Sequence, residues 1–248
     1  MGEPDQPGTG RMIDFWLGGE HHFPVDVAAA SAFEQAYGPC APVFRELRAF
    51  LGRAVRATLA HGVDGFLVFG AGVPTMGNVH EVATDATVLY TDVDPVTIRL
   101  GQSILAGSDR AGYGFGDATD IGTIDPAQLR RFVPGWGRRP VGVVFLGLAA
   151  FLDDATLTRT LDELYAAAAP GSLLVLDFDT EELAGHPQAL AMMGPQFRMR
   201  QPSTFAPLLG RWAPTADGIV PVARWRPTGP PARVPDAFHC VLATRDAD

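Results

Sequence analysis

The 248-residue chain has two cysteines and none of its basic residues is lysine. Cys40 and Cys240 lie far apart and form no metal-type pair, so both are expected to be free, buried thiols in a reducing compartment. A chain this long buries enough apolar surface to need no disulfide staples. The start, MGEPDQPGTG, lacks the basic and apolar regions of a signal peptide. The longest apolar run, Val141 to Leu152, is about half a membrane span. A soluble, cytoplasmic protein without membrane attachment is expected. Positive charge is also scarce: 19 basic against 28 acidic residues give a net charge of −9. Binding along a nucleic acid needs cationic surface to displace counterions, so a nucleic-acid partner is disfavoured. Apolar residues make up 47% and charged ones 19%, which is globular rather than disordered composition. The abundance of Ala, Gly, Pro and Arg reads as genomic base composition, not function.

What is present has a regular rhythm. Residues 1–10 are Gly/Pro-rich and polar, expected as a frayed, disordered tail. The rest reads as one domain, a helical cap at 11–60 followed by a core at 61–248. In the cap, Phe44, Leu47, Leu51, Val55 and Leu59 recur at steps of three or four, one face of a helix that Gly62 ends. The core then alternates. Strands are expected at 65–69, 87–91, 113–115, 141–147 and 172–178, with helices at 78–84, 95–105 and 153–169 between them. Such alternation implies a parallel sheet with right-handed crossovers. Residues 185–211 read as helix broken at Pro195 and Pro202. Two late strands are expected at 219–226 and 237–244, the second antiparallel.

Three consecutive strand ends carry candidate chemistry. After the first comes Gly70-Ala71-Gly72, with Thr75 where a third glycine would complete a dinucleotide fingerprint. The missing glycine argues against a pyrophosphate cofactor. Asp92 follows Gly72 by 20 residues and ends the second strand beside Val93, a position suited to ribose hydroxyls. Asp94, ahead of Pro95, is the better helix cap. Asp117-Ala118 follows the third strand. Its carboxylate can accept from an adenine amine, and the small alanine leaves room for the ring. Together the three sites define one crevice.

The words RMIDFWLGG (11–19), LRAFLGRAV (47–55), GAGVPTMGNVHEVA (70–83), LYTDVDPVTI (89–98), GDATD (116–120) and VPVARWRP (220–227) resemble the actinobacterial group of S-adenosylmethionine-dependent methyltransferase-like proteins. The resemblance implies a Rossmann-like class I methyltransferase fold. That fold is α/β, with a seven-stranded, mostly parallel sheet, helices on both faces and the N-terminal helices over the cofactor. The implied cofactor is S-adenosylmethionine. The implied pocket takes in Arg11, Gly70, Ala71, Gly72, Thr75, His80, Asp92, Val93, Asp117, Ala118, Leu146 and Gly147, with Arg11 suited either to clamp the methionine carboxylate or to pair structurally with Asp14. Glu81 is an alternative capping partner for Asn78. His21 and His22 are candidate general bases, because imidazole titrates near neutrality. No metal site is expected. Three departures from the family stand out: Val68 replaces an acidic residue that helps hold the methionine amino group, Ala149-Ala150-Phe151 replaces Leu-His-Phe, and Glu20-His21-His22 replaces a charged pair.

The expected activity is methyl transfer to a small molecule, in secondary metabolism. One alternative is an enzyme that cyclises the aminocarboxypropyl chain of the cofactor and releases methylthioadenosine. Another is a non-catalytic binder. Oligomeric state is not legible.

Overall fold

The computed structural model describes residues 4–230 and 232–246. Three helices lead the chain: α1 (Thr9–Leu17), α2 (Pro24–Tyr37) and α3 (Ala41–Ala60). The core follows as β1 (Gly65–Phe69), α4 (Val79–Val82), β2 (Thr87–Asp92), α5 (Pro95–Ile104), β3 (Ala111–Phe115), α6 (Pro126–Phe132), β4 (Gly142–Phe145), α7 (Asp154–Ala167) and β5 (Leu173–Asp179). The tail holds α8 (Pro187–Met192), α9 (Pro202–Phe205), β6 (Ala213–Pro214), β7 (Val220–Pro221) and β8 (Phe238–Thr244).

The strands form one eight-stranded sheet in the order β3-β2-β1-β4-β5-β8-β6, with β7 beside β8. Strands β1 to β5 are parallel, and β8 runs antiparallel to β5. The chain winds outward from β1 to β3, then returns to lay β4 on the other side of β1. That reversal opens a crevice beyond the carboxyl ends of β1 and β4. Both faces of the strands are covered, so they read as unbroken apolar runs. Phe66, Val68, Val88, Tyr90, Val144 and Val175 pack towards α3 and α4. Leu67, Phe69, Leu89, Val143, Phe145 and Leu176 pack towards α6 and α7.

Several sequence expectations change here. Among the described residues the sheet has eight strands rather than seven, because the two-residue β6 and β7 both pair with β8. The strand expected at 219–226 shrinks to Val220–Pro221. Pro221 lacks a ladder donor, and the chain turns into a short 3₁₀ segment at Val222–Arg224. Helix α6 was not anticipated, although Asp125 caps it through the Ala127 N–H and Pro126 occupies its first turn. The frayed tail is also revised. From Pro4 onwards the segment runs along the crevice wall, and the Gly8 N–H donates to Asp26 at 2.8 Å; residues 1–3 lie outside the described residues. Cys40 and Cys240 are free and buried. Among the described residues no helix is long and apolar enough to cross a membrane.

Packing between α5 and β3 shows how tightly the crevice floor is set. A Cβ on Gly101 would fall 2.2 Å from the Tyr113 ring. Tyr113 cannot swing away, because its hydroxyl donates to the Gly72 carbonyl at 2.7 Å and its ring is buried. Gly101→Ala is therefore expected to destabilise the protein by about 1–3 kcal/mol, as overpacking does. Urea unfolding of the two proteins measures it.

Candidate functional site

The crevice is a cavity of about 810 Å³ at the switch point between β1 and β4. Its centre is the turn after β1. Gly70 and Gly72 adopt φ of +54° and +61°, the left-handed region where a side chain is strained. Space forbids side chains as well. A Cβ on Gly70 would lie 2.4 Å from the Leu148 side chain, and one on Gly72 3.1 Å from the Gly10 Cα.

Asp92 closes the turn. Its Oδ2 accepts from the Gly72 N–H at 3.0 Å, and its Oδ1 accepts from the N–H groups of Val93 and Asp94 at 2.8 and 3.0 Å. Three backbone donors thus fix a carboxylate on the cavity wall. Asp94 caps α5 as expected, accepting from Val96 and Thr97. Burial works against its charge, but those hydrogen bonds and the Arg11 guanidinium outweigh it and hold its carboxyl below the ordinary carboxylate range. Asp117 accepts from the Thr119 N–H and hydroxyl at 2.8 and 2.7 Å through Oδ1, leaving Oδ2 without a partner among the described residues.

Arg11 lines the cavity, but its donors are already committed. Nε bonds Asp26 at 2.9 Å, Nη1 bonds Asp94, and Nη2 bonds the Gln6 carbonyl at 2.9 Å. With Arg11 at 2% exposure and Asp26 at 0%, this pair pins α1 to α2, and the bond to Asp94 ties α1 to the turn after β2. Removing one partner of such a buried pair costs about 3–5 kcal/mol. The arginine with donors to spare is Arg48 on α3, which sequence reasoning missed. Among the described residues it makes one hydrogen bond, to Asn78 Oδ1 at 3.0 Å, and no ion pair. Burial lowers its basicity, and only the fields of Tyr90, Glu81, Asp14 and Tyr113 oppose that. A half-buried guanidinium on a cavity wall, with no carboxylate partner among the described residues, suits an anionic ligand.

The cavity gathers Arg11, Gly70, Ala71, Gly72, Asp92, Val93, Asp117, Ala118, Leu146 and Gly147 from the anticipated set. It does not gather Thr75, His80, His21 or His22. Thr75 donates to Asp14 Oδ1 at 2.6 Å. The His21 N–H donates to Asp14 Oδ2 at 2.7 Å, and His22 Nδ1 lies 3.3 Å from the same oxygen. His80 Nδ1 lies 2.8 Å from the Tyr90 hydroxyl, and burial lowers its pKa. Glu81 accepts from the N–H groups of Gly77 and Asn78, as a helix-capping residue does. Val68 lines the cavity and brings no carboxylate to the end of β1. Among the described residues no cluster of His, Cys, Asp and Glu has the makings of a metal site.

Two further carboxyls stand at the end of β5. Asp177 is fully buried; its Oδ1 accepts from the Gly147 N–H at 2.6 Å, and its Oδ2 has no partner among the described residues. Desolvation pushes its pKa up to about 7. Asp179, two residues on, lines the cavity, and burial together with the Asp177 charge pushes its pKa well up.

A parallel sheet in this order, with a glycine turn after β1 and a fixed acid ending β2, is that of class I S-adenosylmethionine-dependent methyltransferases. The sequence profile of the S-adenosyl methyltransferase family matches residues 3–244, and this chain belongs to that family. A candidate methyltransferase from Thermobifida fusca is 25% identical over 98% of this chain and 96% of its own, with a TM-score of 0.86. A DUF574 family protein from Streptomyces avermitilis is 26% identical over 97% of this chain and 98% of its own, with a TM-score of 0.85. Magnesium protoporphyrin IX methyltransferase from Synechocystis, crystallised with S-adenosylhomocysteine, shares the fold at 13% identity, with a TM-score of 0.59 over 95% of this chain and 93% of its own. No curated protein matches the chain. The cofactor is S-adenosylmethionine, and the residues present fit it. The glycine cradle admits backbone contact, Asp92 and Asp117 offer fixed acceptors, and Arg48 offers unspent donors.

The Asp177 carboxyl has a measurable cost. Its folded pKa lies above its unfolded value, so the native state holds a proton that the unfolded chain releases. Its contribution to stability therefore falls as pH rises from about 4 to about 7, by roughly 4 kcal/mol for a shift of that size. Asp177→Asn keeps an acceptor for Gly147. It is expected to raise the unfolding temperature at pH 8 and to change it little at pH 4.5. Thermal unfolding at the two pH values checks the sign.

Proposed function

We propose that this chain transfers the methyl group of S-adenosylmethionine to a small molecule. The observation that carries the reading is the extent of the cavity. From the cofactor-facing carboxylates Asp92 and Asp117 it continues to an apolar end lined by Phe151, Met193, Phe197 and Phe238. A cavity of about 810 Å³ is of the size that holds small ligands. In this reading Asp92 accepts from the ribose hydroxyls. Asp117 accepts from the adenine amine over Ala118, with Val93, Leu146 and Gly147 flanking the nucleoside. Gly70, Ala71 and Gly72 let the backbone approach, and Arg48 holds the methionine carboxylate. Arg11 supports that end by fixing Asp94 and the N-terminal segment.

When bound, S-adenosylmethionine supplies an electrophilic methyl group with a good thioether leaving group. The protein's share is to align the acceptor and exclude water. Thr75, His21 and His22 are assigned to holding Asp14 and the glycine turn, and His80 to supporting α4 through Tyr90. None of them is given proton transfer.

Calorimetric titration with S-adenosylmethionine, followed by mass spectrometry of the mixture, tests the reading. Binding without turnover is expected until an acceptor is added. Release of methylthioadenosine with a new amino acid would overturn it in favour of an enzyme that consumes the cofactor. Arg48→Met and Asp92→Ala are each expected to weaken binding at least tenfold, with circular dichroism showing the fold retained.

A further inference from the structure

We propose that the acceptor is a cationic amine and that Asp179 is the residue that selects it. The inference rests on the reading of the cavity as a methyltransferase site. Asp179 ends β5 directly across from Phe238, at the apolar end of the cavity. Among the described residues its carboxyl makes no hydrogen bond or ion pair with another side chain, and it lines the same cavity as Leu152, Met193 and Phe197. Arg200 is the cation whose field reaches it. That guanidinium is committed elsewhere: to Asp154 at 2.9 Å and to the carbonyls of Ala149 and Leu152 at 2.7 and 2.6 Å. Asp177 stands behind on the same strand face, fully buried, with Oδ2 unpartnered. A pair of neighbouring carboxyls, one fully buried and the other half-buried on a cavity wall, is costly to ionise unless a positive charge arrives.

The cavity's own cations cannot be that charge. Its described lining holds two, Arg11 and Arg48, and both belong to the N-terminal helices on the cofactor side. The far end therefore presents a carboxyl without a cation. There an anionic acceptor finds no cation to pair with, and a neutral hydroxyl brings no charge that would let the carboxyl ionise. An ammonium balances it, and the nearby aromatic rings also favour a cation. The same group then solves a chemical problem. An ammonium nitrogen has no lone pair to offer until it loses a proton. Transfer to Asp179 breaks the N–H bond, leaves its electron pair on nitrogen and forms an O–H bond on the carboxylate. Burial, which raises the carboxyl's affinity for a proton, suits it to that step.

The test uses the intact protein saturated with S-adenosylhomocysteine, and calorimetry with matched ligands. The sets are phenethylamine, 2-phenylethanol and 3-phenylpropionate, then tryptamine, tryptophol and indole-3-propionate. In at least one set the amine is expected to bind tenfold or more tighter than its alcohol and acid partners. Asp179→Asn should remove at least tenfold of that amine affinity while leaving the alcohol within about twofold and S-adenosylhomocysteine unchanged. An alcohol or acid that binds as tightly as its amine in both sets overturns the proposal. So does an amine preference that survives Asp179→Asn. If the variant does not fold, the comparison within each set on the unaltered protein still decides. Failure of S-adenosylhomocysteine to bind would instead remove the cofactor reading on which the proposal stands.

Discussion

The site depends on two backbones crossing where neither carries a side chain. At Gly10 the N-terminal helix lies against Gly72 so closely that a Cβ on Gly10 would sit 2.6 Å from the Gly72 Cα. Polar bonds lock the crossing. Asp14 on α1 accepts from Thr75 beyond the glycine turn, and Arg11, one residue after Gly10, reaches Asp26 on α2 and Asp94 after β2. One short helix thereby ties the turn after β1 to the turn after β2. Those two turns carry the glycine cradle and Asp92, so the cap is a wall of the cavity and not a lid laid over a finished pocket.

Charge is divided along that cavity. Arginines stand on the N-terminal helices, hydrogen-bonded carboxylates at the ends of β2 and β3, and the Asp179 carboxyl at the end of β5, with the half-satisfied Asp177 buried behind it. Asp92 is stabilised by three N–H groups and Asp94 by hydrogen bonds and Arg11, so their charges fit a folded protein without ligand. Asp177 has one such donor, the Gly147 N–H, and Asp179 has no side-chain partner among the described residues; burial drives both towards the protonated form. A raised carboxyl that lines a cavity, as Asp179 does, points to function.

Much of this was legible in the sequence, for identifiable reasons. Buried parallel strands leave short apolar runs, so β1 was read to the residue and β2 to within one. Gly70, Gly72, Asp92 and Asp117 follow strand ends, where the fold concentrates ligand contacts. Other features left weaker traces. Helix α6 has only a sparse apolar face (Leu129, Phe132), and its Asp-Pro start went unused. Arg48 falls four residues after Phe44, on the face that packs inward, yet a lone arginine on a helix is ordinarily solvated. Asp179 lies one residue beyond the expected strand end, where an aspartate reads as turn. Gly8 and Gly10 read as a tail, because composition cannot distinguish a frayed glycine from one needed for a close crossing. The roles of His21 and His22 depended on direction, and two adjacent residues in a loop do not disclose which way they face.

The most direct measurement is a crystal structure of the protein with S-adenosylhomocysteine. The account predicts ribose hydroxyls on Asp92, the adenine over Ala118 beside Asp117, the carboxylate on Arg48, and the sulfur facing the apolar end that Asp179 borders. A nucleoside bound elsewhere, or a carboxylate turned away from Arg48 with the sulfur facing solvent, would contradict it.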